Sequence, residues 1–282
     1  MTLNSENVEI YVPDGTPDVE ALGRTTHMSI AAHQDDIEIM AYHGILECFQ
    51  QPDRWFTGVV VTDGAGSPRS GAYADYTDEM MKEVRKQEQR KAAVVGDYTA
   101  AMLLGYSSSV VKDPGRDDVV EDIMELLVKC QPEYLYIHNL ADKHPTHIAC
   151  AIRTIDALRR LGYRPRLKGF YGCEIWRDLD WLPDEAKIVF DVSPHENIAM
   201  ALVSVFDSQI TGGKRYDLAT MGRRRANATY HESHGTDVAT AVINAMDLMP
   251  MLDDPSLSPE EFLKAHLDNF ARSVLGPLKG LL

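Results

Sequence analysis

From Thr26 onward, short runs of β-branched and other apolar residues alternate with stretches whose apolar positions recur at helical spacing. That alternation is the pattern of βαβ units wound around a parallel sheet. His27 to Ala32 reads as a first strand, and Ile37, Met40, Ala41, Gly44, Ile45, Cys48 and Phe49 mark one face of the helix that follows, so the loop His33 to Asp36 joins strand to helix. Phe56 to Thr62 reads as a second strand, followed by a glycine-rich loop. Thr77-Asp78 caps a long helix expected to run to about Leu104, after which Ser108 to Lys112 is expected as the third strand. Asp117 to Cys130 is expected to be helical and Tyr134 to His138 to be a fourth strand. Beyond the loop Asn139 to Pro145, residues Ile148, Ala151, Ile152, Ile155 and Leu158 mark another amphipathic helix, and Leu167 to Cys173 and Ile188 to Val192 supply two more strands. The expected fold class is α/β: a Rossmann-like, doubly wound, mostly parallel sheet with helices on both faces.

Residues 1–25 read as an N-terminal extension, with an added strand from Val8 to Val12 and a short helix, and residues 236–282 as a C-terminal helical appendage. Ser258-Pro259-Glu260-Glu261 opens the last helix with good N-terminal capping chemistry. The whole of residues 1–282 is expected to form a single domain, since α/β chains of this length often fold as one unit. The terminal helix, with Phe262, Leu267, Phe270 and Leu275, could pack on its own domain or on a second subunit, which leaves a homo-oligomer open.

Charge narrows the partners. Twenty-eight Lys and Arg against 43 Asp and Glu give a net charge of -15, which repels nucleic acid and an anionic membrane at long range. A small molecule is the expected partner, without nucleic acid or membrane insertion. The N-terminus carries Glu6, Glu9 and Asp14 where a signal peptide needs a basic start and an apolar core, so a cytoplasmic location is expected. Cys48, Cys130, Cys150 and Cys173 form no C-x-x-C pair and read as buried thiols.

In a doubly wound sheet, ligands bind beyond the carboxyl ends of the strands where the strand order reverses, here between the first and fourth strands. Two polar loops fall there: Ala32-His33-Gln34-Asp35-Asp36, and Ala141-Asp142-Lys143-His144-Pro145-Thr146-His147. A catalytic zinc site needs three His or carboxylate ligands and one open position. His33, one of the two aspartates and His147 meet that count, and the other aspartate is then free to act as a base. His144 is placed to stabilise an oxyanion. Taken singly, H-x-D-D is better explained as a helix N-terminus whose carboxylates accept orphan N–H groups; two such loops converging at one switch point favour a metal.

These residues resemble the PIG-L/LmbE-like N-acetylglucosaminyl deacetylase family. Its first motif, A-H-P-D-D with a following acidic position, stands here as AHQDDIE from Ala32 to Glu38, and its D-x-H-P-D-H motif as DKHPTH from Asp142 to His147. Its T-D-G loop is matched by Thr62-Asp63-Gly64 and its R-x-x-E helix by Arg85 to Glu88, while Ser208-Gln209 and Gly222 to Glu232 match more weakly. The resemblance spans roughly residues 26–235. It implies a zinc-dependent hydrolase, or one using another divalent metal, that removes an N-acetyl or other N-acyl group from an amino sugar or small glycoside. It implies His33, Asp36 and His147 as metal ligands, Asp35 as general base, His144 as acid or oxyanion stabiliser, and Arg85, Asp63 and Gln209 at the substrate. Arg225, in the basic run Arg223-Arg224-Arg225, is added as a candidate for an anionic group of the substrate. Two positions depart from the family pattern: Gln34 replaces proline, and Thr146 replaces an aspartate that would favour the imidazolium form of His144. Asp142 is the candidate substitute.

Other features are given blander readings. Gly64-Ala65-Gly66 lacks the third glycine of a dinucleotide fingerprint, His231-Glu232-Ser233-His234 lacks zincin spacing, and His43 reads as a core histidine. Two other functions compete with the deacetylase: a non-catalytic sugar-binding or regulatory protein of the same fold, and a metal hydrolase of an unrelated ester or phosphate.

Overall fold

The computed structural model describes residues 2–162 and 166–281. Among the described residues the strands are β1 Glu9–Tyr11, β2 His27–Ala31, β3 Phe56–Thr62, β4 Ala100–Tyr106, β5 Tyr134–His138, β6 Gly169–Cys173, β7 Ile188–Asp191 and β8 Val242–Asp247. They form one sheet in the order β1-β4-β3-β2-β5-β6-β8-β7. The five strands from β4 to β6 run parallel, with β1 antiparallel to β4 at one edge and, at the other, β8 antiparallel to β6 and β7 antiparallel to β8, so that β7 again runs with the central five. This is the expected doubly wound, mostly parallel sheet, and the strands read as first and fourth, β2 and β5, are neighbours in register from His27↔Tyr134 to Ile30↔Ile137.

Each face is covered by helices because the strands alternate. Met28 and Ile30 of β2 and Val59 and Val61 of β3 point into one core, with the Asp118–Cys130 and Pro145–Leu161 helices. Ala31 and Val60 point into the other, with Ile37, Ile45, Ala92 and Met221 from helices on the opposite face. The central strands are buried on both sides, so they read as continuous apolar runs.

Two expected boundaries move. The long helix spans Asp78–Val95, not residues to Leu104, and the third strand is β4, not Ser108 to Lys112, which is a short helix. Ala, Met and Leu are strong helix formers, so β4 looks like a continuation of the preceding helix. The break comes from Gly96 and from Asp97 with φ 57°, after which burial on both faces decides for strand. Strand β8 falls where the sequence pattern predicts only a helical appendage. Among the described residues no helix is long and apolar enough to cross a membrane.

Candidate active site

Both polar loops leave carboxyl ends of adjacent parallel strands, as the topology requires. After β2 the chain turns at Asp35, whose φ of 87° is left-handed, and enters the Asp36–Met40 helix. Aspartate is among the few residues other than glycine that tolerate this conformation. After β5 the chain passes Asp142 and His144 and enters the Pro145–Leu161 helix, with His144 at its N-cap and Pro145 at its first position.

The turns bring three ligand-type atoms together. His33 Nδ1 lies 3.1 Å from Asp36 Oδ2 and 3.1 Å from His147 Nε2, and His147 Nε2 lies 3.3 Å from Asp36 Oδ2. Zinc bonds of about 2.0–2.1 Å at tetrahedral angles put neighbouring ligand atoms roughly 3.3–3.4 Å apart. The triangle therefore fits a three-ligand ion with one position open toward the cleft. Around it the carboxylate of Asp36 also accepts the His33 amide at 2.7 Å, which fixes its orientation. Burial opposes ionisation of Asp36, but the neighbouring His147 and His138 rings and hydrogen bonds from His147 and His33 outweigh it and hold the carboxyl well below its usual range. His147 is backed by Asp142, whose Oδ1 lies 3.5 Å from its Nδ1, an ion-pair contact rather than a hydrogen bond, since that Nδ1 has no hydrogen-bond partner among the described residues. That is the carboxylate–histidine arrangement that orients a metal-ligating ring.

His138, at the carboxyl end of β5, is fully buried and stacks on His147 with ring centroids 3.9 Å apart. With Asp36 and His147 it makes a second ligand-type group, overlapping one made by His33, His144 and His147. Its Nε2, however, accepts the Ala32 amide at 2.8 Å, so the lone pair that faces Asp36 is already used. His138 fits as a prop beneath His147. The sequence signal for it is its place at a strand's carboxyl end beside the switch point.

Asp35 is buried against Arg85, with Oδ2 3.3 Å from Nη2. Its pKa is raised to about 7, first by burial and then by the charge of Asp36, with Arg85 pulling the other way. His144 is the neutral counterpart. Its Nδ1 accepts the Thr146 amide at 3.3 Å, which puts its proton on Nε2, and its pKa is pushed down to about 4 by burial and by the His147 and His33 rings. Asp142 does not replace the missing family aspartate at this ring: its Oδ1 takes the backbone amide of His144 and its Oδ2 the amide of Trp176.

The remaining candidates lie at different distances from the centre. Arg85 borders the cleft but is itself buried, with Nη2 donating to the Gln34 carbonyl and to Asp35, and Nη1 facing Glu88 and Ser208 at 3.5 Å each. It braces the His33–Asp36 turn from below. Gln34, where the family has proline, ties the same turn to β3 through the Thr62 carbonyl at 3.2 Å. Gly64, with φ +75°, leaves room for both: a Cβ there would lie 2.7 Å from Gln34 Oε1 and 3.0 Å from Arg85 Cγ. Gln209 lines the cleft and bonds Ser208, which is held by Glu88. Asp63 turns to Lys82 at 3.3 Å and to the Ala65 amide.

Arg225 is exposed and paired with Glu196, and the basic run meets the cleft through Arg223 and Arg224. Consecutive helical residues point about 100° apart, so Tyr216, Thr220 and Arg223 share a face that Arg225 leaves. The cleft walls also include Trp176 and Tyr216, with rings 6.2 Å apart edge to face, and Lys214, whose Nζ sits 5.1 Å above Trp176. Lys214 belongs to the basic stretch Gly212 to Arg215, whereas Trp176 and Tyr216 carry no motif that distinguishes them in the sequence.

The space beside the centre has two lobes that share Asp35, Asp36, Trp176 and Tyr216. The larger, about 370 Å³, is the more polar of the two and is bordered by His33, His144, Arg85, Gln209 and Lys214. The smaller, about 180 Å³, runs between the Tyr216–Tyr230 helix and Ile39, Ile175 and Ile243.

Comparison with known proteins agrees with this architecture. No curated protein matches the chain in sequence. Among solved structures, the conserved protein TT1542 from Thermus thermophilus is 17% identical, with 82% of this chain and 98% of that one covered and a TM-score of 0.59. GalB, the 4-carboxy-2-hydroxymuconate hydratase from Pseudomonas putida KT2440, is 15% identical over 79% and 96%, with a TM-score of 0.60. The N,N'-diacetylchitobiose deacetylase from Pyrococcus horikoshii is 16% identical over 78% and 83%, with a TM-score of 0.57. At such identities the likeness is one of fold. Residues 28–158, which hold His33, Asp35, Asp36, Arg85, His144 and His147, match the family described as PIG-L, GlcNAc-PI de-N-acetylase. The likeness to the PIG-L family thus lies in residues 28–158, a little under half of the chain.

Proposed function

We propose that the chain hydrolyses the N-acyl amide of an amino sugar or small glycoside at a divalent ion, zinc in the first instance, held by His33, Asp36 and His147. The observation that carries this reading is the triangle of His33 Nδ1, Asp36 Oδ2 and His147 Nε2, with edges of 3.1, 3.1 and 3.3 Å, directly beside the unligated carboxylate of Asp35. When bound, such an ion supplies Lewis acidity, polarising a carbonyl and acidifying water.

The chain's own groups divide the rest of the work. Asp35, poised near neutrality, takes the proton of the attacking water and returns it to the amide nitrogen as the C–N bond breaks. His144, neutral with its proton on Nε2, donates to the oxygen that gains charge. Asp142 holds the His147 ring, and Arg85 holds the Asp35 turn through the Gln34 carbonyl. The products are a carboxylic acid and a free amine.

A hydratase shares this fold, so fold alone does not choose between amide hydrolysis and water addition. The family match over residues 28–158 favours hydrolysis. The test is release of acetate and free amine from N-acetylglucosamine and its glycosides by metal-loaded protein. Cleavage abolished by chelation and restored by zinc is the expected result. Absence of cleavage across N-acyl amines of several acyl lengths and charges, with metal stoichiometrically bound, would overturn the reading and favour the non-catalytic or other-hydrolase alternatives.

A further inference from the structure

The smaller lobe is larger than an acetyl group needs. At about 180 Å³ it has room for several groups of methyl or water size, each taking roughly 30 Å³. Its walls are apolar along most of their length, through Ile39, Ile175 and Ile243, but its far end is basic. Tyr216 borders both lobes, and Arg223 lies two helical turns further along the same face, about 10 Å along the helix at roughly 1.5 Å per residue.

The basic end lacks acceptors. Arg224 is 3% exposed and donates through Nη2 to the Glu38 and Ile39 carbonyls, while its Nε and Nη1 have no partner. Those two nitrogens are also closed to solvent, so Arg224 acts on the lobe through its charge, while Arg223 is half-buried and lines it, and a carboxylate is the group that two guanidinium charges favour. Arg223 beside it donates through Nη1 to the Ile175 carbonyl. The one carboxylate lining this end, Glu174, is committed elsewhere, to the amides of Asn244 at 3.0 Å and Leu179 at 3.1 Å and to Asn227 Nδ2. No hydrogen bond or ion pair joins it to either arginine among the described residues, although its charge acts on both through space; Asp35 and Asp36 line the part of the lobe shared with the centre, so beside the arginines two guanidinium charges face one carboxylate.

We infer that the smaller lobe is an acyl subsite for a dicarboxylic acyl group, its methylenes along the isoleucine walls and its distal carboxylate at Arg223, with the charge of Arg224 behind it. The inference rests on the amide-hydrolase reading of the centre, with the polar lobe taking the amine half. Hydrolysis of such an amide breaks the same C–N bond and releases a dicarboxylate and the amine, with no further reactant than water.

The test separates binding from turnover. Calorimetry on the metal-loaded protein compares glutarate with pentanoate, which has the same number of carbons but lacks the second charge. Glutarate should bind at least tenfold more tightly, the scale of one charge-assisted hydrogen bond. The preference should fall about tenfold or more in Arg223→Gln and in Ala219→Phe, which fills the lobe from an exposed helix position. N-glutaryl, N-pentanoyl and N-acetyl glucosamine are assayed in parallel, with the N-glutaryl compound expected to have the highest kcat/KM. Equal binding of glutarate and pentanoate, or a preference untouched by both variants, overturns the subsite even if N-acetyl substrates are cleaved. A glutarate preference that both variants abolish, without cleavage of any of the three amides, keeps the anion subsite and removes the amide-hydrolase reading instead.

Discussion

Asp35→Asn isolates proton transfer from everything else the turn does. Asparagine tolerates the left-handed backbone that Asp35 adopts at φ 87°, so the entry into the Asp36–Met40 helix is kept. Breaking a buried ion pair can cost about 3–5 kcal/mol when the remaining charge is stranded. Here Arg85 is not stranded: Glu88 stays 3.5 Å away and the Gln34 carbonyl still accepts from Nη2. The stability loss should therefore stay near the worth of one charged hydrogen bond, about 1.5–3 kcal/mol. Metal content should not change, because the His33, Asp36 and His147 triangle does not include Asp35. The rate should change greatly: loss of a positioned general base lowers kcat by about 10²–10⁴, or roughly 2.7–5.4 kcal/mol of barrier. Acetate release under saturating N-acetylglucosamine, elemental analysis and denaturant unfolding on one preparation give all three numbers. A kcat within about threefold of wild type at equal metal content would remove Asp35 from the chemistry. Metal loss in parallel with rate would move it into the ligand set.

Other perturbations read other parts of the design. His147→Ala should lose the metal outright, while Asp142→Asn, which only weakens the hold on the His147 ring, should lower metal affinity by about 10- to 100-fold in a competition titration; equal affinity in Asp142→Asn and wild type would show that the 3.5 Å approach carries no orientation. Away from the centre, burial holds His27 and His43 down to about 4, with His43 and Arg54 adding to the effect on His27 and Glu47 and Asp191 opposing it on His43. An unfolded histidine titrates near 6.5. Between those values the unfolded chain binds more protons, so stability present above pH 6.5 is lost as pH falls toward 4. Glu38, raised to about 7 by burial, has the opposite sign between 7 and about 4.5 and partly offsets the pair. Urea unfolding at pH 7.5 and pH 5 should accordingly show a smaller pH difference in His43→Gln than in wild type, and an identical difference would contradict the burial account of His43.

What the sequence discloses and what it hides follow from how each residue acquires its neighbours. His33, Asp36 and His147 are legible because all three lie just beyond the carboxyl ends of β2 and β5, and strand adjacency at the switch point is a rule of the fold before it is a fact about side chains. Asp35 and His144 inherit that legibility, being locked into the same two turns. β4 is illegible for the converse reason: Ala100 to Leu104 are residues that favour helices, and only burial between two helical layers makes the segment a strand. Arg225 misleads because a run of three arginines looks like one unit in the sequence, whereas helical geometry sends Arg225 to Glu196 on the surface and leaves Arg224 under Tyr42 with two unpartnered nitrogens. Trp176 and Tyr216 are harder still, since their place on the cleft depends on how the β6 exit and the Tyr216–Tyr230 helix meet across a long stretch of chain. The chemistry of the centre is therefore written locally in two loops. Its selectivity is written in the packing of the Tyr216–Tyr230 helix against Ile39 and Ile243, so substitutions along that helix should change which acyl group is accepted before they change whether the metal is held.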